Sequence, residues 1–508
     1  MRKLALLLLL VLFVTPLQAQ SLWGDLQPGP YAPGFTQWDR YDHSRPYRTA
    51  KTLDGKPRTG ERGRPIRISI WYPAQPAPDA RTLTFGDYLD MLAGEARFGL
   101  VTDEQKRRAE ETLFAFPLLN TLTPEHRVKM RTLQAHAVRD AKAVNEKFPV
   151  ILYSLGSAVL ANGTPEYLAS HGYVVVQSPR LGAYAGLPQD NRDVLDLETK
   201  LRDMDFVLNA IREWRQADVS NIGTIGFSAG GRWALAAAMK NADVKAVVSL
   251  DSVMLFPDAV NAAWRTLPHF NLDAVRVRIL HLTRTEFAKQ DDLAMWNAMR
   301  YADRTYVEHT EPSLHHWDYQ SLGYATALAG ARGEHADEVS AVYHDVNRQT
   351  LAFLDAHLKN GKPYKATGLK VTHTAALRAP ITAAEFMNAI DEEGTRSAID
   401  AYRKQWKERG TPPVAEATLN TAGYVLLFSG RAQEGLDMLA LNTEAFPNSA
   451  NAHDSLADAY VAVGNRAKAL ELTKKAAELL PKETDMPSER RAAIQASIDA
   501  KLAQLGAR

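Results

Sequence analysis

Asn221-Ile222-Gly223-Thr224-Ile225-Gly226-Phe227-Ser228-Ala229-Gly230-Gly231-Arg232-Trp233 decides the fold. Its first five residues form a short apolar run bounded by Asn and Gly, suited to a buried strand. Residues 231–239 are rich in helix formers. Between them stands G-x-S-x-G, the setting of a nucleophile elbow: strand, sharp turn, helix. Side chains two before and two after the serine would collide in such a turn, so Gly226 and Gly230 have a steric reason. The amide of Ala229, at the start of the helix, is placed to donate to a developing oxyanion. Ser228 is therefore the candidate nucleophile.

Outward from this point the chain alternates strand and helix. Pro149-Val150-Ile151-Leu152-Tyr153 is a continuous apolar run, as in a strand buried on both faces. Residues 164–170 read as a short helix and 173–177 as the next strand. Over 194–215, Leu197, Leu201, Met204, Leu208, Ile211 and Trp214 recur at three and four, the period of an amphipathic helix. Further strands are expected over 244–250, 277–282 and 304–308, with a closing helix over 338–358. This alternation implies an α/β fold with a mostly parallel sheet, whose functional groups gather beyond the carboxyl ends of the strands.

The catalytic domain is bounded at 65–360, starting with the alternating strand Ile66-Arg67-Ile68-Ser69-Ile70-Trp71-Tyr72. Residues 20–64 read as an irregular arm. Residues 85–146 are charged and helical in pattern, an insertion expected to pack over the active-site face. Residues 361–382 resemble a linker. From 383 to 508 the pattern is all helical and carries an internal offset of 34, with Gly430 matching Gly464, Leu436 matching Leu470 and Pro447 matching Pro481. Ala383 to Gly410 supplies a degenerate earlier pair, with Gly394 at its turn. Helix pairs at this period resemble tetratricopeptide repeats, whose usual output is a docking surface, so a protein partner is expected there.

Composition narrows the function. Lys+Arg 60 against Asp+Glu 59 gives a net charge of +1, which argues against nucleic acid as partner. With no cysteine in 508 residues, cysteine nucleophiles, thiolate metal sites and disulfides are excluded. Met1-Arg2-Lys3 and the apolar run over 4–14 read as a signal peptide over 1–19, too short to span a bilayer. The expected location is periplasmic or secreted, with no membrane span once the signal is removed.

A serine nucleophile needs a base, and the base needs an orienting acid, in the order Ser, acid, His. Ser313-Leu314-His315-His316-Trp317-Asp318 lies after the last core strand. His315 is the expected base and His316 the alternative; His281 and His309 fall in or at the ends of strands and suit packing. Asp251, directly after the strand 244–250, is the expected acid, and Glu286, after the following strand, its rival. In the loop Tyr153-Ser154-Leu155-Gly156-Ser157, the amide of Ser157 is the expected second oxyanion donor, beside that of Ala229.

These segments resemble the platelet-activating-factor acetylhydrolase and dienelactone-hydrolase branch of the α/β-hydrolase family. The resemblance covers about 66–358. It rests on the elbow, on an aspartate 23 residues after the serine in Leu250-Asp251-Ser252-Val253-Met254, and on Ser313-Leu314-His315. That branch carries His-Gly in its oxyanion loop where this chain has Leu155-Gly156, which removes any side-chain role there. The resemblance implies a serine esterase for small, short-acyl esters, working through an acyl-enzyme without metal or cofactor. Two alternatives are a serine peptidase on the same fold and a repeat-type interaction protein with an inert hydrolase domain.

Overall fold

The computed structural model describes residues 20–506 except 96, 97, 118, 155 and 188–192. The signal-peptide reading of 1–19 and Leu155 of the oxyanion loop thus lie outside the described residues. The chain divides into two compact units, Met1–Leu377 and Arg378–Arg508.

The first unit is built on eleven described strands: β1 Ala32–Pro46, β2 Gly63–Ala74, β3 Thr82–Thr84, β4 Gln134–Arg139, β5 Phe148–Tyr153, β6 Val174–Gln177, β7 Ala217–Phe227, β8 Val244–Leu250, β9 Arg278–Arg284, β10 Asp303–His309 and β11 Lys370–Thr374. Their order is β11-β10-β9-β8-β7-β5-β6-β2-β1-β4-β3. From β6 through β5 to β10 all pairs are parallel. β2 runs antiparallel to both β6 and β1. The eight neighbours from β1 to β10 in that order are thus arranged as in an α/β-hydrolase sheet, the strand order switching sides at β5 and β7, which stay parallel.

Residue alternation sends side chains to two cores. Ile151, Tyr153, Ile225, Val248 and Leu280 face one layer, which includes Val346 and Leu354 of the helix Ala336–Leu358. Val150, Leu152, Ile222, Val247 and Ile279 face the other, where the helix Val194–Ala210 brings Leu197, Leu201 and Met204. A strand buried on both faces has no polar alternation, which is why these segments are continuous apolar runs. Each such side chain contributes about 1.5–3 kcal/mol by leaving water, an upper range for a chain that is partly compact when unfolded.

Three segments differ from expectation. Residues 20–64 are not merely an irregular arm, because they contain β1, paired with β2 along nearly its whole length. The insertion over 85–146 is helical only at first, in Phe85–Met91, Asp103–Phe114 and Pro124–Thr132. Thr84, Thr102 and Thr123 each open one of these helices with a capping box, satisfying orphan amides of the first turn. The same segment then adds β4 to the sheet beside β1. Within the stretch resembling a linker, β11 pairs antiparallel with β10.

The second unit is all helical. Glu416–Phe428 pairs with Ala432–Ala445, and Ala450–Ala462 with Arg466–Leu479. Between the helices of each pair stands a glycine in the left-handed region, Gly430 at φ 77° and Gly464 at φ 79°. That conformation costs glycine nothing and lets the chain reverse tightly.

Candidate active site

The elbow follows from steric necessity. A Cβ on Gly226 would lie 2.4 Å from the carbonyl oxygen of Gly230, and one on Gly230 would lie 2.0 Å from that of Ser154. No side chain fits at either position. Ser228 itself sits at φ 54°, where an L-residue is strained by about 1–3 kcal/mol. Neighbouring backbone holds it there. Its N–H donates to Leu250 O at 3.1 Å, and its carbonyl accepts from Val253 N at 3.3 Å. The hydroxyl-bearing residue is left half-buried at the end of β7.

Asp251 occupies the matching place at the end of β8. It too is left-handed, at φ 37°, and its N–H donates to Leu282 O at 2.7 Å. Its side chain is fully buried. Oδ1 accepts from the Arg284 amide at 3.1 Å and from Thr283 Oγ1 at 3.3 Å. Oδ2 accepts from Arg284 Nε at 2.9 Å and lies 2.6 Å from His316 Nδ1. A carboxylate offers only acceptors, so Nδ1 carries the hydrogen and Nε2 is left free to take a proton.

Asp251, the expected acid, therefore meets His316 and not His315, against the order of preference drawn from the sequence. The two residues sit at the start of the three-ten turn His316–Tyr319, where successive side chains point about 120° apart. Only one can face Asp251. His315 is the cap of that turn: its amide donates to Asp318 Oδ2 at 2.7 Å and its carbonyl accepts from the Asp318 N–H at 3.0 Å. Burial, and next the charge of Arg332, lower the pKa of His315. Its ring lines a half-enclosed cleft of about 300 Å³ with Leu119, Leu122, Trp317 and Arg332. Leu119 and Leu122 come from the inserted segment, whose first helix also packs on the helix Ala158–Ala161 after the β5 loop. Glu286 does not reach the imidazole; its carboxylate accepts from Arg284 Nη1 at 3.2 Å.

His316 is held by two rings. Phe227, the residue before Ser228, stacks on it at 4.2 Å, and Phe287 at 5.0 Å. Sequence reasoning missed Phe287 and Arg284, although both lie within two residues of Glu286, the rival acid. On the oxyanion side, Ser154 Oγ donates to Gly230 O at 2.6 Å, tying the β5 loop to the elbow helix. Gly156, at φ 126°, lies against the stem of Arg180. Ser157 precedes the helix Ala158–Ala161 and Ala229 precedes Gly230–Lys240, so both amides sit at helix starts. Among the described residues no three His, Asp or Glu side chains are grouped to hold a metal ion, and no helix is long and apolar enough to cross a membrane.

No family model matches the chain. No curated protein matches it either. Among solved structures it is similar to a ferulic acid esterase from Streptomyces cinnamoneus, at 17% identity and a TM-score of 0.46, over 70% of this chain and 99% of that one.

Proposed function

We propose that the protein is a serine hydrolase of carboxylic esters, with Ser228 as nucleophile, His316 as base and Asp251 as its orienting acid. The observation that carries this reading is the 2.6 Å contact of Asp251 with His316 beside the strained serine elbow. Ser228 Oγ attacks the ester carbonyl while its proton passes to His316 Nε2. The tetrahedral intermediate collapses, and the leaving alkoxide takes that proton as the alcohol departs. Water then adds to the acyl-enzyme by the same path, returning the proton to Ser228 and releasing the acid. The amides of Ser157 and Ala229 are the oxyanion donors in this reading, each contributing about 2.7–4 kcal/mol.

A compact acyl group is the substrate of this reading, in keeping with the resemblance to the platelet-activating-factor acetylhydrolase and dienelactone-hydrolase branch. Export to the periplasm or medium, and a tetratricopeptide-like docking role for the second unit, belong to the same proposal. The test is a panel of aryl esters of increasing acyl length with fluorophosphonate labelling. Wild type should label and prefer acetyl or butyryl esters, and Ser228→Ala should do neither while staying folded. Labelling of Ser228→Ala at the wild-type rate would overturn the assignment.

A further inference from the structure

Arg284 ends β9 and places a permanent cation on the triad acid. Its Nε shares Asp251 Oδ2 with His316 Nδ1, at 2.9 and 2.6 Å. Its guanidinium carbon also lies 4.5 Å over the ring of Phe287, and that ring stacks on the imidazole at 5.0 Å. Arg284, Phe287, His316 and Asp251 thus form a closed circuit of contacts, with Phe227 stacked on the imidazole. Arginine does not deprotonate in this setting. Asp251 therefore divides its charge between a guanidinium and the imidazole, and removing the guanidinium changes the field at His316.

We propose that Arg284 and Phe287 are positioning residues for His316: together they fix the plane of its ring, and Arg284 sets how far into acid the enzyme keeps working. The inference rests on the triad read above. Other ionisable groups face the pair from each neighbouring element. Glu286, after β9, partly offsets Arg284. Tyr306 of β10 and Tyr319 stay phenols, since burial raises both, with Asp251 among the further causes. Asp318, beside His315, is paired with Arg332.

The experiment measures kcat/KM on an aryl acetate from pH 5 to 9 in the full chain, with the fluorophosphonate labelling rate as a second readout. Arg284→Gln should move the acidic limb up by roughly 0.5–1 pH unit, whereas Arg284→Lys, which keeps the charge, should leave it near wild type. Glu286→Gln, at a half-exposed position, should move it the other way by a smaller step and serves if Arg284→Gln does not fold. Phe287→Leu should lower kcat about 5–20-fold with KM and the limb little changed, as expected of a loosened ring. An unmoved limb in both Arg284→Gln and Glu286→Gln, or a limb that moves down in Arg284→Gln or up in Glu286→Gln, would overturn the proposal. Ser228→Ala and His316→Asn run alongside. If either retains wild-type turnover, the triad itself fails; if both are inactive and the limb is unmoved, only the role of Arg284 fails.

Discussion

Asp251→Asn is the substitution whose outcome the geometry constrains most. The carboxylate accepts from four donors, two on each oxygen. An amide supplies one acceptor and one donor group. If its oxygen keeps the Arg284 amide and Thr283, its NH2 replaces Oδ2 and confronts two donors, Arg284 Nε–H and His316 Nδ1–H. The imidazole escapes by moving its hydrogen to Nε2, the atom that must accept the proton of Ser228. A wrong tautomer of this kind lowers turnover by ~10⁴, or about 5.5 kcal/mol of transition-state stabilisation. A smaller stability loss is expected, about 1.5–3 kcal/mol for a charge-assisted hydrogen bond, because Arg284 keeps its contact with Glu286. The assay is kcat on an aryl acetate for Asp251→Asn and Glu286→Gln, with circular dichroism to verify folding. Turnover of Asp251→Asn within tenfold of wild type, with Glu286→Gln crippled, would refute the reasoning and place the acid on the later strand.

His316→Asn should lose ~10⁴ or more in kcat, while His315→Asn, a good cap for the same turn, should stay within about tenfold; the reverse pattern in steady-state rates would restore His315 as base. Glu166 is buried with Tyr88 Oη at 2.6 Å and the His136 amide at 2.7 Å, and burial pushes its carboxyl up to about 7 against these hydrogen bonds. Its folded pKa is thus above its unfolded one, so this group destabilises the fold increasingly as pH rises from about 4.5 to 7, by on the order of 3 kcal/mol. Glu166→Gln should flatten that part of the Tm–pH curve, and an unchanged slope between pH 4.5 and 7 would count against it. A chain ending at Leu377 should keep its turnover on small soluble esters, and loss of that turnover in a folded product would show that the helical unit serves the site.

The sheet and its elbow were legible because burial on both faces forces continuous apolar strands, and because a serine with no room for neighbouring Cβ atoms forces two glycines. Asp251 was legible for a related reason: it directly follows such a strand. The choice between His315 and His316 was not, since it depends on the phase of a three-ten turn that adjacent identical residues cannot encode. β11 was missed because four of its five residues are exposed, leaving no apolar alternation to read. β1 was missed because much of it is only half-buried and carries Asp39, Arg40 and Asp42. Arg284 and Phe287 act through the register of β9 against β8, with Leu250 opposite Leu282, which local sequence does not specify.

That register also explains how two unfavourable backbone conformations coexist. Ser228 and Asp251 are both left-handed, and each is anchored by an amide donating to the last turn of the next strand: Ser228 to Leu250, and Asp251 to Leu282. Two such residues cost together about 2–6 kcal/mol, more than a single hydrogen bond returns. The strain is therefore held by the ladders of β7, β8 and β9 as a unit, each strand fixing the tip of the one before it. Ser228 and Asp251 end up side by side at the ends of β7 and β8 because those ladders end there, and His316 meets Asp251 at Oδ2.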